Sequence, residues 1–275
     1  MSNLNKDLMA AKEGSKDEVW AMMVKNRLEH LFLEDRAHVD RYGLHASAIL
    51  ASDNEFCYRE QVLSLFFKMN QGEQLPIKAL KIFAQGNAMH EKWYRLFKMA
   101  GIDVAIERSL FLKQYDLSFT IDALLNLFNE EIICDVKSQN SFAFKKSKGH
   151  PSGEKQVNFY LWALTKYTGV PHRKGFVLVD SKDDQEVRVV PVRYDKSKVV
   201  PYVGRLKTIQ EMKKDFIENG VLPPRKCKNC DAKRASQCNM RDACFNIGKG
   251  RVKLSAEERQ REEEHFRRSS LHNRN

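Results

Sequence analysis

Hydrophobic residues along the chain follow two different periods. Five short runs rich in apolar and β-branched residues are separated by polar turns, and they predict strands at residues 104–112, 117–125, 131–136, 175–180 and 187–192. Residues 156–166 have instead the spacing of an amphipathic helix, which predicts a crossover between the third strand and the fourth. The pattern therefore predicts an α/β fold in which a helix connects two strands of one sheet.

Helical patterns flank this region on both sides. Residues 1–45 combine many charges with apolar positions at helical spacing, which predicts a helical extension packed on the core or on a partner. Residues 46–100 are predicted to be mostly helical, and a helix at 198–219 should end at Gly220 and the following prolines. We therefore predict four regions, which are a helical extension at 1–45, a core at 46–222, a cysteine-rich segment at 223–250, and a charged helix with a disordered tail at 251–275.

Two aspartates and a lysine lie on neighbouring predicted strands. Asp122 precedes Asp135 by thirteen positions, and Lys137 follows two positions later. Alternation along the strand puts Asp135 and Lys137 on one face of the sheet. Mg²⁺ prefers oxygen ligands, which the two carboxylates and the backbone carbonyl of Val136 could supply, while Lys137 could orient a water molecule or stabilise an oxyanion. The pattern predicts metal-assisted phosphodiester hydrolysis; the alternative is a surface hairpin with a solvated ion pair.

Residues on the flanking helices add to this set. His90 lies in a helical pattern before the strands and is a candidate third metal ligand, although a lone helical histidine is more often structural. Gln156 and Tyr160 lie one helical turn apart after the strands, so they share a face that suits contact with a nucleic-acid backbone or positioning of the active site. The order and spacing of these residues together favour one functional site.

Cysteine usage predicts a second site. Four of the six cysteines fall within eighteen residues as C-x2-C-x7-C-x5-C, and they are Cys227, Cys230, Cys238 and Cys244. Such clustering in a basic segment predicts a metal site rather than disulfides, and the four thiolates alone could hold a structural Zn²⁺. The alternative is a group of unrelated free cysteines. Cys134 faces away from Asp135 on its strand and is predicted to be a buried apolar residue.

Charge and hydropathy narrow the class of partner. The chain of 275 residues has 47 lysines and arginines against 36 aspartates and glutamates, a net charge of +11, which attracts polyanions. Lys145, Lys146 and Lys148 lie beside two phenylalanines in a predicted loop at 138–155 that could guide a DNA strand; the alternative is a solvated loop. The chain has no apolar run of about 20 residues and its N-terminus is too charged for a signal peptide, so we expect a cytoplasmic protein without a membrane partner.

Four motifs follow one another along the chain, and they are Gly86-x-x-x-His90-Glu91, Asp122, Asp135-x-Lys137 and Gln156-x-x-x-Tyr160. In this order they resemble the RecB-type branch of the PD-(D/E)XK nuclease superfamily. The resemblance covers residues 45–245, and Ile121 stands at the proline position of the superfamily name, where no chemistry is involved. It implies a mixed central sheet flanked by helices. It further implies that His90, Asp122 and Asp135 bind Mg²⁺ or Mn²⁺, that Lys137 is the catalytic lysine, and that Gln156 and Tyr160 form the helix motif.

Some members of this branch, including the CRISPR-associated exonucleases and AddB-like nucleases, hold a [4Fe–4S] cluster with one cysteine before the nuclease core and three after it. Cys57 occupies the first position, two residues before Arg59. The resemblance implies Cys57, Cys227, Cys238 and Cys244 as ligands, with Cys230 as the alternative to Cys227. Seven residues separate Cys230 from Cys238, which departs from the usual spacing of this branch and leaves that choice open.

These observations predict a Mg²⁺- or Mn²⁺-dependent deoxyribonuclease. The resemblance alone implies an exonuclease that processes single-stranded DNA or duplex ends in recombination, repair or replication. Recombination or replication proteins are the expected partners, in a prokaryotic cell or a phage-infected host. Two other classes stay open, namely a non-catalytic DNA-binding or adaptor protein that keeps the fold, and a zinc-ribbon nucleic-acid-binding protein with an incidental Asp-x-Lys motif.

Overall fold

The computed structural model of the protein describes Met22 and residues 24–27, 43–67, 77–127 and 129–247. Internal contacts divide the chain into two units, the first formed by Met1–Val39 with Glu73–Gln85 and the second by Asp40–Gly72 with Gly86–Asn275. The described residues of the first unit are helical. The second unit contains the sheet and every side chain that the candidate sites use.

A mixed sheet forms the centre of the second unit. Its strands are β1 (Leu44–His45), β2 (Asp103–Leu112), β3 (Leu117–Leu127), β4 (Glu130–Gln139), β5 (Lys174–Ser181) and β6 (Val187–Arg193). The order is β1-β3-β4-β5-β6, and β2 pairs with β3 outside this path. The pairs β1–β3 and β4–β5 are parallel and the other pairs are antiparallel. This sheet, with helices on its faces, confirms the predicted fold class.

Helices cover both faces of the sheet. They are α1 (Ala46–Ile49), α2 (Tyr58–Ser64), α3 (Ile77–Met99), α4 (Ser141–Lys146), α5 (Pro151–Thr168), α6 (Lys196–Asn219), α7 (Lys233–Ser236) and α8 (Arg241–Asn246). On one face, Tyr94 and Phe97 of α3 pack on Cys134, Val136 and Leu178. On the other face, α5 and α6 cover a larger core. The strand β4 is therefore buried from both sides, as expected for a central strand with a parallel neighbour.

The long helices begin and end where the sequence provides caps. The predicted crossover helix is confirmed as α5, which connects β4 to its parallel neighbour β5. The side chain of His150 accepts a hydrogen bond from the backbone N–H of Gly153, and Pro151 follows at the first helical position. Helix α6 ends at Gly220, which has a φ of 69°, so the predicted end of this helix is confirmed.

The loop predicted at 138–155 is wrong, because most of it is regular structure. Strand β4 continues to Gln139, α4 follows at once, and α5 begins five residues before Gln156. Helix α4 forms because the Asn140 side chain accepts from the N–H of Ala143 and because Phe144 is buried with Arg188 4.1 Å from its ring centre. Neither the cap nor the contact with Arg188 can be read from the spacing of hydrophobic residues in this segment.

Two further boundaries differ from the sequence predictions. The short strand β1 was not predicted, since two residues are too few for a periodic signal. The turn after β3 is shorter than predicted, because Asn126 and Leu127 belong to the strand and pair with Glu131 and Glu130. The other strands extend the predicted ranges by one to three residues.

Some predictions fall on parts of the chain that the structure does not describe. These are the charged helix and tail at 251–275 and most of the helical extension at 1–45. The four predicted regions stay predictions. Within the described part of the chain, no helix combines the length and apolar character needed to cross a membrane.

Phe216 and Phe142 provide a matched pair of substitutions that tests the described packing. Phe216 is 1% exposed and packs edge to face on Phe66, whereas Phe142 is 74% exposed. Phe216→Ala should lower the free energy of unfolding by about 3–5 kcal/mol because it leaves a cavity in the core. Phe142→Ala should change it by less than about 0.5 kcal/mol. Denaturant titrations followed by circular dichroism measure both values, and equal losses would contradict this packing.

Candidate active site and cysteine cavity

Asp135 and Lys137 lie on the face of β4 that packs against α5. The ammonium of Lys137 donates a hydrogen bond to Oδ1 of Asp135 over 2.8 Å. The Asp135 side chain is 1% exposed and that of Lys137 is 25% exposed. The alternation of the strand thus gives the pair predicted from the sequence, but the carboxylate is buried rather than solvated.

Asp122, His90 and the backbone of Val136 meet beside this pair. Oδ2 of Asp122 accepts from the N–H of Val136 over 2.9 Å. Nε2 of His90 lies 3.1 Å from the carbonyl oxygen of Val136 and 3.9 Å from Oδ2 of Asp122. The structure therefore brings together a carboxylate oxygen, an imidazole nitrogen and a carbonyl oxygen, which are candidate metal ligands from the sequence.

The environment of Asp135 fits a bound cation. Burial raises the pKa of Asp135 to about 7, Lys137 opposes this shift, and the Asp122 carboxylate adds to it. Oδ2 of Asp135 is buried and has no hydrogen-bond partner among the described residues. A divalent cation would satisfy this oxygen and offset the repulsion between the two carboxylates.

Tyr94 supports His90 from the same helix and was not found from the sequence. Its hydroxyl lies 3.3 Å from Nδ1 of His90, the ring nitrogen that does not face Val136. Burial raises the pKa of Tyr94, and the nearby Asp122 adds to the shift. A partner on the second ring nitrogen fixes the orientation of a histidine ligand. The sequence signal would have been the four-residue spacing of His90 and Tyr94 on one helix face.

Gln156 and Tyr160 contact each other on α5, as their spacing predicts. The side-chain amide of Gln156 donates to the Tyr160 hydroxyl over 3.0 Å. Tyr160 is buried, packs on Phe119 of β3 and has its pKa raised by burial and by the charge of Asp135. The helix motif is therefore next to the carboxylates of the sheet.

The first turn of α5 approaches Asp135 closely, a contact that the sequence pattern does not predict. A Cβ atom added to Gly153 would lie 3.0 Å from Oδ2 of Asp135 and 2.9 Å from Cγ1 of Val177. The N-terminal end of a helix carries a partial positive charge, so this approach favours an anionic Asp135. Burial lowers the pKa of the capping residue His150, and the nearby charge of Lys137 adds to the shift. A glycine near the start of a helix was the available sequence signal.

The three predicted DNA-contacting lysines differ in their surroundings. Lys145 is paired with Asp184 over 3.0 Å. Lys146 lies 5.9 Å from the ring centre of the exposed Phe142, and Lys148 is exposed between α4 and α5. These residues follow directly after the strand that carries Asp135 and Lys137, so they lie close to the site along the chain.

Four of the six cysteines line one cavity. These four are Cys57, Cys227, Cys238 and Cys244. Cys230 does not line the cavity, and its thiol lies 3.7 Å from a carboxylate oxygen of Asp231. Cys134 is fully buried on the other face of β4 from Asp135, as its position on the strand predicts.

The thiols of the cavity are close enough for the charge of one to change the pKa of another. Burial raises the pKa of Cys238 to about 12, and the charges of Glu60, Cys57 and Cys244 add to the shift. Burial also raises the pKa of Cys227, although Arg234 opposes this change. Bound metal would provide the positive charge that thiolates at this place need.

Basic side chains attach the cysteine-rich segment to the start of the core. Arg59 donates to the carbonyl oxygen of Pro223 over 2.9 Å, and Lys226 donates to that of Phe56 over 3.0 Å. Arg234 pairs with Glu60 over 3.2 Å. These contacts hold residues near Cys57 against residues more than 160 positions later in the chain.

The side chains around Asp135 and the four cysteines of the cavity are not spaced as metal ligands are around a bound ion. Among the described residues, no group of three or more His, Cys, Asp or Glu side chains has the arrangement that would hold a metal ion. Oδ1 of Asp135, for example, accepts a hydrogen bond from Lys137. Binding would therefore need some of these side chains to move.

Comparisons with known proteins show similarity to solved structures only. No protein-family model matches the chain, and no curated protein matches it. The crystal structure of SSO0001 is 14% identical with a TM-score of 0.42, and the match covers 84% of this chain and 98% of that chain. An alkaline exonuclease, LHK-Exo, from Laribacter hongkongensis is 13% identical with a TM-score of 0.40, covering 67% of this chain and 92% of that chain. The same exonuclease in complex with dAMP gives a TM-score of 0.40 at 13% identity, covering 62% and 88%. These values are too low to assign an activity.

Gly153 and Gly204 test the close approach of α5 to Asp135. Both glycines lie in helices, where alanine is favoured by up to about 1 kcal/mol. Nothing lies within 4 Å of a Cβ added at Gly204, so Gly204→Ala should raise the melting temperature. Gly153→Ala should lower it, because the methyl group would displace Asp135 or Val177. Differential scanning calorimetry in EDTA compares the two variants, and a rise for Gly153→Ala would contradict the described contact.

Proposed function

We propose that this protein is a deoxyribonuclease that depends on a divalent metal ion. The observation that supports this most directly is the meeting of His90, Asp122 and the Val136 carbonyl beside the buried Asp135–Lys137 pair. Mg²⁺ or Mn²⁺ would be held by the imidazole, the two carboxylates and the carbonyl oxygen. An ion at the unpartnered oxygen of Asp135 would offset the cost of burying that oxygen.

The protein residues have separate tasks in phosphodiester hydrolysis. A bound divalent ion supplies Lewis acidity and lowers the pKa of a coordinated water molecule. Lys137 is held by Oδ1 of Asp135, so its remaining protons can orient the attacking water or stabilise charge on the phosphate oxygens. Tyr94 holds the His90 ring, and Tyr160 with Gln156 positions the helix face next to the carboxylates. The first turn of α5 excludes water from Asp135.

DNA is the proposed substrate because basic residues and an exposed aromatic ring lie on and just after α4. Lys145, Lys146 and Lys148 would contact phosphates, and the exposed ring of Phe142 can stack on an unpaired base. Because Lys145 is paired with Asp184, it should contribute less than the other two lysines. An exonuclease that acts on single strands or duplex ends, with recombination or replication proteins as partners in the cytoplasm, is proposed from the sequence resemblance.

The cysteine cavity is proposed to hold a [4Fe–4S] cluster on Cys57, Cys227, Cys238 and Cys244. Two observations support this ligand set over the set with Cys230 and over a zinc site made of the C-terminal cysteines alone. The first is that Cys57 lines the same cavity as the three later cysteines, and the second is that Cys230 does not. Three basic residues of the cavity wall, Lys226, Arg234 and Arg241, would balance the negative charge of a thiolate cluster.

Substitution of Lys137 tests the catalytic assignment. Lys137→Ala should lower cleavage by about 10²–10³-fold, because it removes a preorganised donor to the developing charge, and Asp135→Asn should have an effect of similar size. Lys174→Ala is the matched control, since Lys174 is an exposed lysine of β5 that is paired with Glu130. End-labelled single- and double-stranded DNA with Mg²⁺, Mn²⁺ or EDTA provides the measurement, and circular DNA separates exonuclease from endonuclease activity. Near-normal cleavage by Lys137→Ala would refute the assignment.

Substitution of Cys57 and Cys230 tests the cluster. Protein purified without oxygen should be brown, and Cys57→Ala should lose iron. Its melting temperature should fall by roughly 10 °C if the cluster constrains the unfolded chain as a long disulfide loop does. Cys230→Ala should keep both iron and stability. Metal analysis that finds one zinc per chain and no iron, with no effect of Cys57→Ala, would favour the zinc-ribbon alternative.

A further inference from the structure

A buried carboxylate, Asp180, attaches α3 to the sheet next to the candidate active site. Asp180 lies in β5 and is 0% exposed. Its Oδ2 accepts from Nε1 of Trp93 over 2.7 Å and from Nζ of Lys92 over 2.8 Å. Both donors belong to α3 and follow His90 by two and three residues. Oδ1 of Asp180 is buried as well and has no hydrogen-bond partner among the described residues.

The contacts of Asp180 with Lys92 and Trp93 hold the part of α3 that carries His90. Trp93 and Tyr94 follow His90 by three and four residues, so both lie on the same side of the helix as His90. His90 contacts the Val136 carbonyl on β4, and Trp93 contacts Asp180 on β5, so the helix is held by polar contacts to two adjacent strands. A helix that is held at two points on one face can neither rotate nor slide without breaking one of them.

The register of the sheet places Asp180 beside the catalytic strand. β4 and β5 are parallel, and Asp180 pairs with Ser138, the residue after Lys137. Its side chain is on the face that α3 covers, whereas Asp135 and Lys137 are on the face that α5 covers. Asp180 is therefore at the level of the active site but separated from its carboxylates by the sheet.

Stability alone does not explain this arrangement. A carboxylate without exposure and with one unpartnered oxygen is a poor stabilising element, and an apolar side chain at such a position is often equally good or better. The contact is specific in geometry, however, because one oxygen receives both a neutral indole donor and a charged ammonium. Side chains that do not touch a metal ion but hold the element that carries one of its ligands set the position of that ligand.

We propose that Asp180 is a positioning residue that holds His90 in place to bind the metal ion. This proposal rests on the proposed function, since it takes His90 as a ligand. Asp180 itself does not contact the ion or the substrate. Loss of its contacts leaves His90 with the Val136 carbonyl and the Tyr94 hydroxyl, which do not fix the helix against β5.

Graded variants of Asp180 test the proposal with the full-length protein. Asp180→Ala removes both contacts, whereas Asp180→Asn keeps an acceptor for Trp93 and loses the charge that binds Lys92. The Mn²⁺ concentration for half-maximal cleavage should rise by about 10–100-fold in Asp180→Ala and by less in Asp180→Asn. Cleavage at saturating Mn²⁺ should stay within a few-fold of the wild type, because Lys137 and the carboxylates are unchanged. Binding of Mn²⁺ without DNA, followed by electron paramagnetic resonance, should weaken by the same factor.

Asp116→Asn is the matched control for a general loss of stability. Asp116 is another buried carboxylate paired with a lysine, Lys213, over 3.0 Å, and asparagine tolerates its φ of 50°. This variant should lower the melting temperature and leave the Mn²⁺ dependence unchanged. Asp180 variants that melt earlier but keep the wild-type Mn²⁺ dependence would overturn the proposal.

Two further outcomes separate this proposal from the proposed function. Trp93→Phe keeps the ring and removes only the indole donor, so it should shift the Mn²⁺ dependence in the same direction even if Asp180→Ala does not fold. An unshifted Trp93→Phe together with an unshifted Asp180→Asn would overturn the positioning role while the nuclease stands. A wild-type protein that neither binds Mn²⁺ nor cleaves DNA would overturn both.

Discussion

The burial of Asp135 is the constraint around which the central part of the molecule is arranged. β4 is covered on both faces, so the Asp135 carboxylate has almost no contact with solvent, and Lys137 is its one cationic partner among the described residues. Burial alone raises its pKa towards neutrality, and the neighbouring Asp122 adds to the cost of ionisation. A fold selected for stability alone would not place two carboxylates here. Perturbed, poorly satisfied acidic groups of this kind are typical of functional sites.

Helices α5 and α3 pack on opposite faces of β4 and contact it in different ways. On one face α5 brings its positive end and Gly153 against Asp135, so backbone rather than side chain fills the space. On the other face α3 presents His90 to the Val136 carbonyl, at the residue whose N–H holds Asp122. Val136 therefore contacts both Asp122 and His90 through its own peptide groups, and a displacement of β4 would disturb both contacts.

The parts of the site that local periodicity determines could be predicted from the sequence, and the parts that depend on packing could not. Strand alternation gave the Asp135–Lys137 pair, and helical spacing gave Gln156 with Tyr160. Trp93 and Asp180 are 87 positions apart, and no local pattern connects them. Helix α4 was missed because the Asn140 cap is a local polar contact that hydrophobic spacing does not record, and because the burial of Phe144 under Arg188 is a tertiary contact.

The cysteine cavity differs from the candidate active site in how its residues are brought together and in how its acidic groups ionise. Contacts from Arg59, Lys226 and Arg234 already close the long loop between Cys57 and the C-terminal cysteines, so closure does not depend on metal alone. Burial raises the pKa values of Cys227 and Cys238, and the nearby charges of Cys57 and Cys244 add to both shifts, so these two thiols resist ionisation. A bound metal centre would reverse this balance by holding the thiolates, and Lys226, Arg234 and Arg241 in the cavity wall would then offset part of the negative charge.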